Sequence, residues 1–238
     1  MSTRFEELGW RSTPMGEISL RRRYDPTLET DVYEVKLDEE FLMSSFFPVA
    51  EIDLARLALA RTAGGGLDVV VGGLGLGYTA QAALEDTRVD TLTVVEYSGA
   101  VIDWHERDLL PDTAGLAADG RVSLLQADFF AAARSPEGFD PERPGRAYDA
   151  ILLDIDHSPR HVLHFPHAAF YTPDGLRAMA AHLRPGGAFG MWSDDPPDAD
   201  FTALLEQVFT DVAAERVWFD NPFIDGQSSN TVYLATRA

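Results

Sequence analysis

The sequence predicts an α/β protein: a doubly wound, mainly parallel seven-stranded sheet with an antiparallel hairpin at its edge, preceded by a small N-terminal β element. Three observations predict it. Short apolar runs of strand length alternate with helical stretches from residue 67 onward. One of these runs, residues 67–72, stops at a cluster of glycines and restarts as an alanine-rich segment, which is the pattern of a buried strand, a tight turn and a helix N-terminus. Two strand-like runs, 215–219 and 230–236, then close the chain as a hairpin, the usual antiparallel addition to a parallel sheet.

Taken in order, residues 1–46 form a unit of their own. Runs 17–23 and 31–37 are strand-like and are separated by the turn signal around Asp25 and Pro26, so they predict a small antiparallel sheet. The larger domain spans 47–238. Pro48 starts a helix through Arg61 whose Ile52, Leu54, Leu57, Ala58 and Leu59 supply a broad apolar face. Gly64, Gly65 and Gly66 release the chain into the first parallel strand. Further strands are expected at 91–97, 121–128, 148–156 and 188–192. A helix is expected at 99–109, ended by Pro111, and others at 174–182 and 201–209. The proline- and charge-rich stretch 134–146 reads as a loop, and Arg184-Pro-Gly-Gly187 as a turn.

Composition bounds the function. The 238 residues carry a formal net charge of −20, a field that repels a phosphate polyanion and attracts a cationic small molecule, so nucleic acid is disfavoured as a partner. No apolar stretch free of charge reaches membrane-spanning length. The first residues, with Arg4, Glu6 and Glu7, lack a leader pattern, so the expectation is a cytoplasmic protein without a membrane association. The absence of cysteine removes disulfides, thiol nucleophiles and cysteine-based metal sites.

The candidate site lies where the strands end. Gly73, Gly75 and Gly77 let the backbone turn sharply and approach a ligand without an intervening side chain. Their spacing is G-x-G-x-G; a dinucleotide fingerprint would require a glycine where Tyr78 stands. Glu96 follows the next strand at the distance expected of a ribose-binding acid, Asp128 follows the third, and Asp154 and Asp156 follow the fourth. Each acid alone reads equally well as a helix cap or a solvated loop residue. Four at successive strand ends define one carboxylate-lined edge. His157, His161, His164 and His167 crowd just after them, but Pro159 and Pro166 interrupt the stretch and no metal-ligand spacing appears, so no metal is expected.

With these motifs in place, the sequence resembles the spermidine synthase family, within the S-adenosylmethionine-dependent methyltransferase fold, through its glycine turn 72–77, Glu96, Ala127-Asp128, the run 149–156 and Leu183-Arg-Pro-Gly-Gly187. The resemblance implies a Rossmann-like domain whose co-substrate is S-adenosylmethionine or decarboxylated S-adenosylmethionine. It implies ribose binding by Glu96, adenine binding by Asp128, an amine-facing base at Asp154, and a homodimer. Three departures stand out. Gly75 replaces an aspartate that holds the donor's terminal amine in the family, His157 replaces the second aspartate of the strand-end motif with Asp156 one residue early, and Asn221-Pro222-Phe223 replaces a Tyr-Pro segment. The expected function is a group transferase alkylating a small, cationic amine by in-line displacement at a sulfonium carbon, with Asp154 as base and His157 sharing that role. Loss of the aspartate at position 75 favours methyl over aminopropyl transfer, and aminocarboxypropyl transfer stays open. A non-catalytic nucleoside- or partner-binding protein on the same fold is the alternative from another class, and a nicotinamide dehydrogenase runs against the glycine spacing.

Overall fold

The computed structural model describes residues 5–13 and 16–238; Arg4 lies outside the described residues. Four antiparallel strands come first: β1 (Phe5–Thr13), β2 (Gly16–Asp25), β3 (Thr30–Leu37) and β4 (Glu40–Ser44), in spatial order β1-β2-β3-β4. The sequence signals only β2 and β3. β1 is mostly polar and is fastened across the pair by charge, Arg22 to Glu6 at 2.8 Å, while β4 completes the sheet by pairing Met43 with Val35 and Glu40 with Leu37. Neither strand shows the apolar alternation that a sequence pattern detects.

The second sheet has seven strands in the order β10-β11-β9-β8-β5-β6-β7. They are β5 (Leu67–Gly72), β6 (Val89–Glu96), β7 (Val122–Gln126), β8 (Tyr148–Leu153), β9 (Leu183–Ser193), β10 (Thr210–Asn221) and β11 (Gly226–Thr236). Strands β5 to β9 pair in parallel, and β11 runs antiparallel between β9 and the edge strand β10. Helices α1 (Val49–Ala60), α2 (Tyr78–Glu85) and α3 (Gly99–Glu106) cover one face with Val69, Val71, Leu92, Val94 and Leu152. On the other face α4 (Phe129–Arg134), α5 (Pro173–Ala180) and α6 (Ala199–Leu205) cover Val70, Val95, Ile151 and Leu153. Alternate residues of one strand therefore enter opposite cores, which is why these strands read as continuous apolar runs. Among the described residues no helix is long and apolar enough to cross a membrane.

Several boundaries differ from the sequence expectation, each for a local reason. Helix α3 stops at Glu106 because Asp108 adopts φ 51°, and the amide of Leu109 folds back to the carbonyl of Trp104. The expected turn at 184–187 is a bulge inside β9: Gly186, at φ 77°, donates to the carbonyl of Arg237, so β9 starts at Leu183. Helix α6 starts two residues earlier than expected, at Ala199, because Asp198 caps it, and it ends at Leu205. The closing strands extend well past their apolar centres, since antiparallel pairing needs no apolar side chains at the tip.

The N-terminal sheet does not have a core to itself. Ile18, Leu20 and Val35 join Trp104 and the α1–α2 residues in one cluster. Gly9 lies so close to the Trp104 ring that any side chain there would collide with it. This packing sets β4 directly over the glycine turn after β5. Beside that turn the strand order reverses, with β6 on one side of β5 and β8 on the other, the place where open α/β sheets bind ligands.

Candidate active site

The glycine turn runs from Gly73 to Gly77 between β5 and α2. Gly73 has φ 93°, and a Cβ there would strike the carbonyl of Asp154, so the turn presses against the end of β8. Gly75 has φ 49°, and a Cβ would meet Met43 Sδ of β4 at 2.9 Å. An apolar thioether thus fills the place where a side chain at 75 would project. Gly77, at φ 91°, caps α2.

Three contacts hold this turn, at Leu74, Gly75 and Leu76, and a fourth, from Ser98, orients the Glu96 carboxylate. The carboxylate of Glu96, at the end of β6, accepts from the amides of Leu74 at 2.9 Å and Ser98 at 2.7 Å. From below, His105 Nε2 donates to the carbonyl of Gly75 at 3.0 Å, and Thr113 Oγ1 donates to the carbonyl of Leu76 at 2.9 Å. Burial lowers the pKa of His105, so it serves as a neutral donor, and burial raises that of Glu96 against the amide bonds that lower it. One strand further, Asp128 caps α4, its Oδ1 accepting from Phe130 at 2.8 Å and Ala131 at 3.1 Å. Its other oxygen has no hydrogen bond among the described residues.

Under the turn lies a cavity of about 90 Å³. Its walls are Leu42, Met43 and Ser44 of β4, the turn from Leu74 to Gly77, Ile155, Leu163, and five side chains with chemistry: Glu51, Tyr78, Asp154, His157 and Trp192. Asp154 follows β8 directly, with its amide bonded to the carbonyl of Gly72 at 2.8 Å and its Oδ2 accepting from Thr79 Oγ1 at 2.7 Å. Burial pushes its pKa up to about 6, against the Thr79 bond. Glu51, in the first turn of α1, is pushed up to about 8 by burial, by the charge of Asp154 and, less, by Asp194. Its Oε2 is buried without a hydrogen-bond partner among the described residues, and so is Trp192 Nε1. A buried carboxylate oxygen and a buried indole N–H beside a cavity are open to pairing with water or a ligand.

The fold brings Asp154 and His157 to this cavity, with Gly73, Gly75 and Gly77 in its roof turn or beside it, and sets Glu96 and Asp128 along the adjoining edge. Asp156 goes elsewhere, contrary to the expectation that it stands with the catalytic carboxylates. It is 3% exposed, accepts from the amide of Leu163 at 2.7 Å, from His167 Nδ1 at 2.9 Å and from Tyr171 Oη at 2.8 Å, and does not line the cavity. The chain leaves β8 at Leu153, so strand alternation no longer governs the direction of residue 156. The histidines disperse as well: His161 bonds Asp195 at 3.1 Å, His167 stacks on Phe130, and among the described residues no three His, Asp or Glu side chains converge as metal ligands.

Sequence reasoning missed Glu51, Thr79, Trp192 and Met43. Glu51 had a signal. It stands three, four and seven residues before Leu54, Ala55 and Ala58, all buried, so an acid sits on the apolar stripe of α1.

No protein-family model matches the chain, and no curated protein sequence does. Solved structures match over nearly its whole length. The spermidine synthase of Thermotoga maritima aligns over 98% of this chain and 72% of its own with a TM-score of 0.70 at 17% identity. A spermidine synthase in complex with the transition-state analogue AdoDATO aligns over the same shares with a TM-score of 0.72 at 18% identity. Human methyltransferase-like protein 13, in complex with SAH, aligns over 79% of this chain and 78% of its own with a TM-score of 0.57 at 20% identity. The chain therefore has the fold shared by spermidine synthases and S-adenosylmethionine-dependent methyltransferases, and the match to the spermidine synthases, over 98% of the chain, takes in its N-terminal sheet as well.

Proposed function

We propose that the protein is a transferase that binds an S-adenosyl sulfonium nucleoside along the glycine turn, Glu96 and Asp128, and alkylates an amine held in the cavity by Asp154 and Glu51. The observation that carries this reading is the cavity's charge: two half-buried carboxylates, one with a buried oxygen unpaired among the described residues, and no lysine or arginine among the described residues of its lining. Such a chamber is stabilised by a cation and by little else. Its volume is below the roughly 300–1,000 Å³ of whole small-molecule sites, so it takes the reacting amine while the nucleoside lies along the sheet edge.

The chemistry follows from these placements. A protonated amine has no lone pair, so it must give its proton to a neighbour before or during attack. Asp154, with a pKa of about 6, is ionised at neutral pH and basic enough to take it. The freed lone pair then attacks a carbon on the sulfonium, and the breaking C–S bond leaves its electrons on sulfur as a neutral thioether. Glu51, with a pKa of about 8, is protonated in the empty cavity at neutral pH and ionises when a cation enters. His157 borders the same space as a second proton acceptor.

Methyl transfer is the reading we favour, because Met43 covers position 75 with a thioether and leaves no carboxylate on the turn for a donor's terminal ammonium. Aminopropyl transfer is the second reading, on the ground that Glu51 supplies a carboxylate to the same cavity from α1. Mass spectrometry of the nucleoside by-product separates them after incubation with each donor and an amine panel. We expect S-adenosylhomocysteine. Methylthioadenosine would replace the first reading with arm transfer, and no by-product from either donor would remove the transferase reading altogether. A homodimer through the N-terminal sheet, where β1 exposes Phe5 and Trp10, belongs to the same proposal and is read by sedimentation.

A further inference from the structure

We infer that the acceptor is an amine with a single positive charge and an apolar body, not a diamine; this rests on the transferase reading above. The argument is where the cavity keeps its charge. Thr79 Oγ1 lies 2.7 Å from Asp154 Oδ2 and 3.2 Å from the carbonyl of Glu51, so both acids enter from one side, where α1 and α2 meet the end of β8. They interact strongly enough that the charge of Asp154 is a leading cause of the raised pKa of Glu51. The two form one anionic pole.

The remaining walls offer a second ammonium no carboxylate. Leu42, Met43, Leu74, Leu76, Ile155 and Leu163 present hydrocarbon or thioether, Tyr78 commits its hydroxyl to Asp112 at 2.7 Å, and Ser44, His157 and Trp192 add no negative charge. Asp156 and Asp194, which follow Asp154 and Trp192 by two residues, stay outside the cavity. Asp156 spends its two oxygens on Leu163, His167 and Tyr171, and Asp194 accepts from Asn230 Nδ2 at 2.8 Å; neither lines the cavity. Leu163 both lines the cavity and is 44% exposed, so the wall that meets solvent is apolar. A diamine that placed one ammonium on the anionic pole would hold the other against this hydrocarbon without a partner, which is costly. An alkyl tail there loses only its contact with water, which is favourable.

The test compares amines of matched length on the full chain, with donor binding measured separately by calorimetry. By-product formation is followed with n-pentylamine, 1,5-diaminopentane and ethylamine. We expect kcat/KM for n-pentylamine to exceed that for 1,5-diaminopentane by about tenfold or more, and ethylamine to fall below n-pentylamine by about threefold to fourfold per missing methylene, the scale of a buried CH₂. Leu163→Glu, which puts a carboxylate on the solvent-facing wall, should move the monoamine-to-diamine ratio about tenfold toward the diamine. A wild type that uses the diamine as well or better, or a ratio unmoved in a Leu163→Glu protein that still binds donor, overturns the inference and leaves amine alkylation standing. Donor bound with no turnover of any amine overturns amine alkylation and this inference together.

Discussion

The sheet edge and the cavity both collect acids, yet they pair them differently. At the edge, Glu96 and Asp128 are each tied to two backbone amides before any ligand arrives. In the cavity, Glu51 has an oxygen with no partner among the described residues and Asp154 accepts one side-chain bond; their pKa values, like that of Glu96, are displaced upward. Anchored carboxylates fix the geometry of neutral groups such as ribose and adenine at little cost, whereas under-paired ones store an electrostatic deficit that a cation relieves. Position and reactivity are thus assigned to different acids.

The largest effect that could break this comparison is at Asp154. Asp154→Asn preserves the shape and the Thr79 contact but removes the base, so turnover should fall about 100-fold or more with donor affinity nearly intact. The wild-type rate should rise with pH through about 6 as Asp154 loses its proton. Retained turnover in a folded Asp154→Asn protein would reduce Asp154 to a structural acceptor for Thr79.

At the edge, Glu96→Ala should weaken donor binding by roughly 1–3 kcal/mol, since it removes a charged acceptor and frees the amide of Leu74 that orders the turn. Calorimetry showing unchanged affinity would detach the edge from the donor.

Glu51 sharpens the contrast through stability. An acid whose pKa rises from 4.5 unfolded to about 8 folded binds more protons in the native state across that window, so its contribution to stability declines as pH rises through it and is fully unfavourable above pH 8. Glu51→Gln should therefore melt higher than wild type at pH 9 and near wild type at pH 4, at about 2–4 °C for each kcal/mol recovered. Parallel melting curves across pH would show that Glu51 is well solvated.

The smallest effect is expected at Tyr171→Phe, which removes one of the three donors to Asp156 and should cost about 1–2 kcal/mol in denaturant unfolding with turnover little changed. A loss of turnover larger than the loss of stability would return Asp156 to the chemistry.

Much of this protein is legible along the chain because its causes are local. Buried parallel strands must be apolar on both faces, as Val69, Val70 and Val71 are, and a turn that presses on a neighbouring strand must be glycine, as at Gly73. Acids placed directly after such strands, Glu96, Asp128 and Asp154, share an edge because parallel strands all end on the same side. Strand alternation carries such reasoning only as far as Leu153, and beyond it the expectation that Asp156 stands with Asp154 fails: Asp156 accepts from Leu163, His167 and Tyr171 instead.

The sequence by itself determined the two-sided sheet, the glycine turn and the row of acids, since each follows from a periodicity or a spacing of a few residues. Only the tertiary structure decided which acids are under-paired. Glu51 is an ordinary first-turn glutamate until α1 packs beside the end of β8 and sets it near Asp154, 103 residues away in sequence number. Met43 is an ordinary strand residue until the N-terminal sheet lays it over Gly75. Burial and the charges that share it are properties of long-range packing, and they set the pKa values on which the proposed chemistry depends.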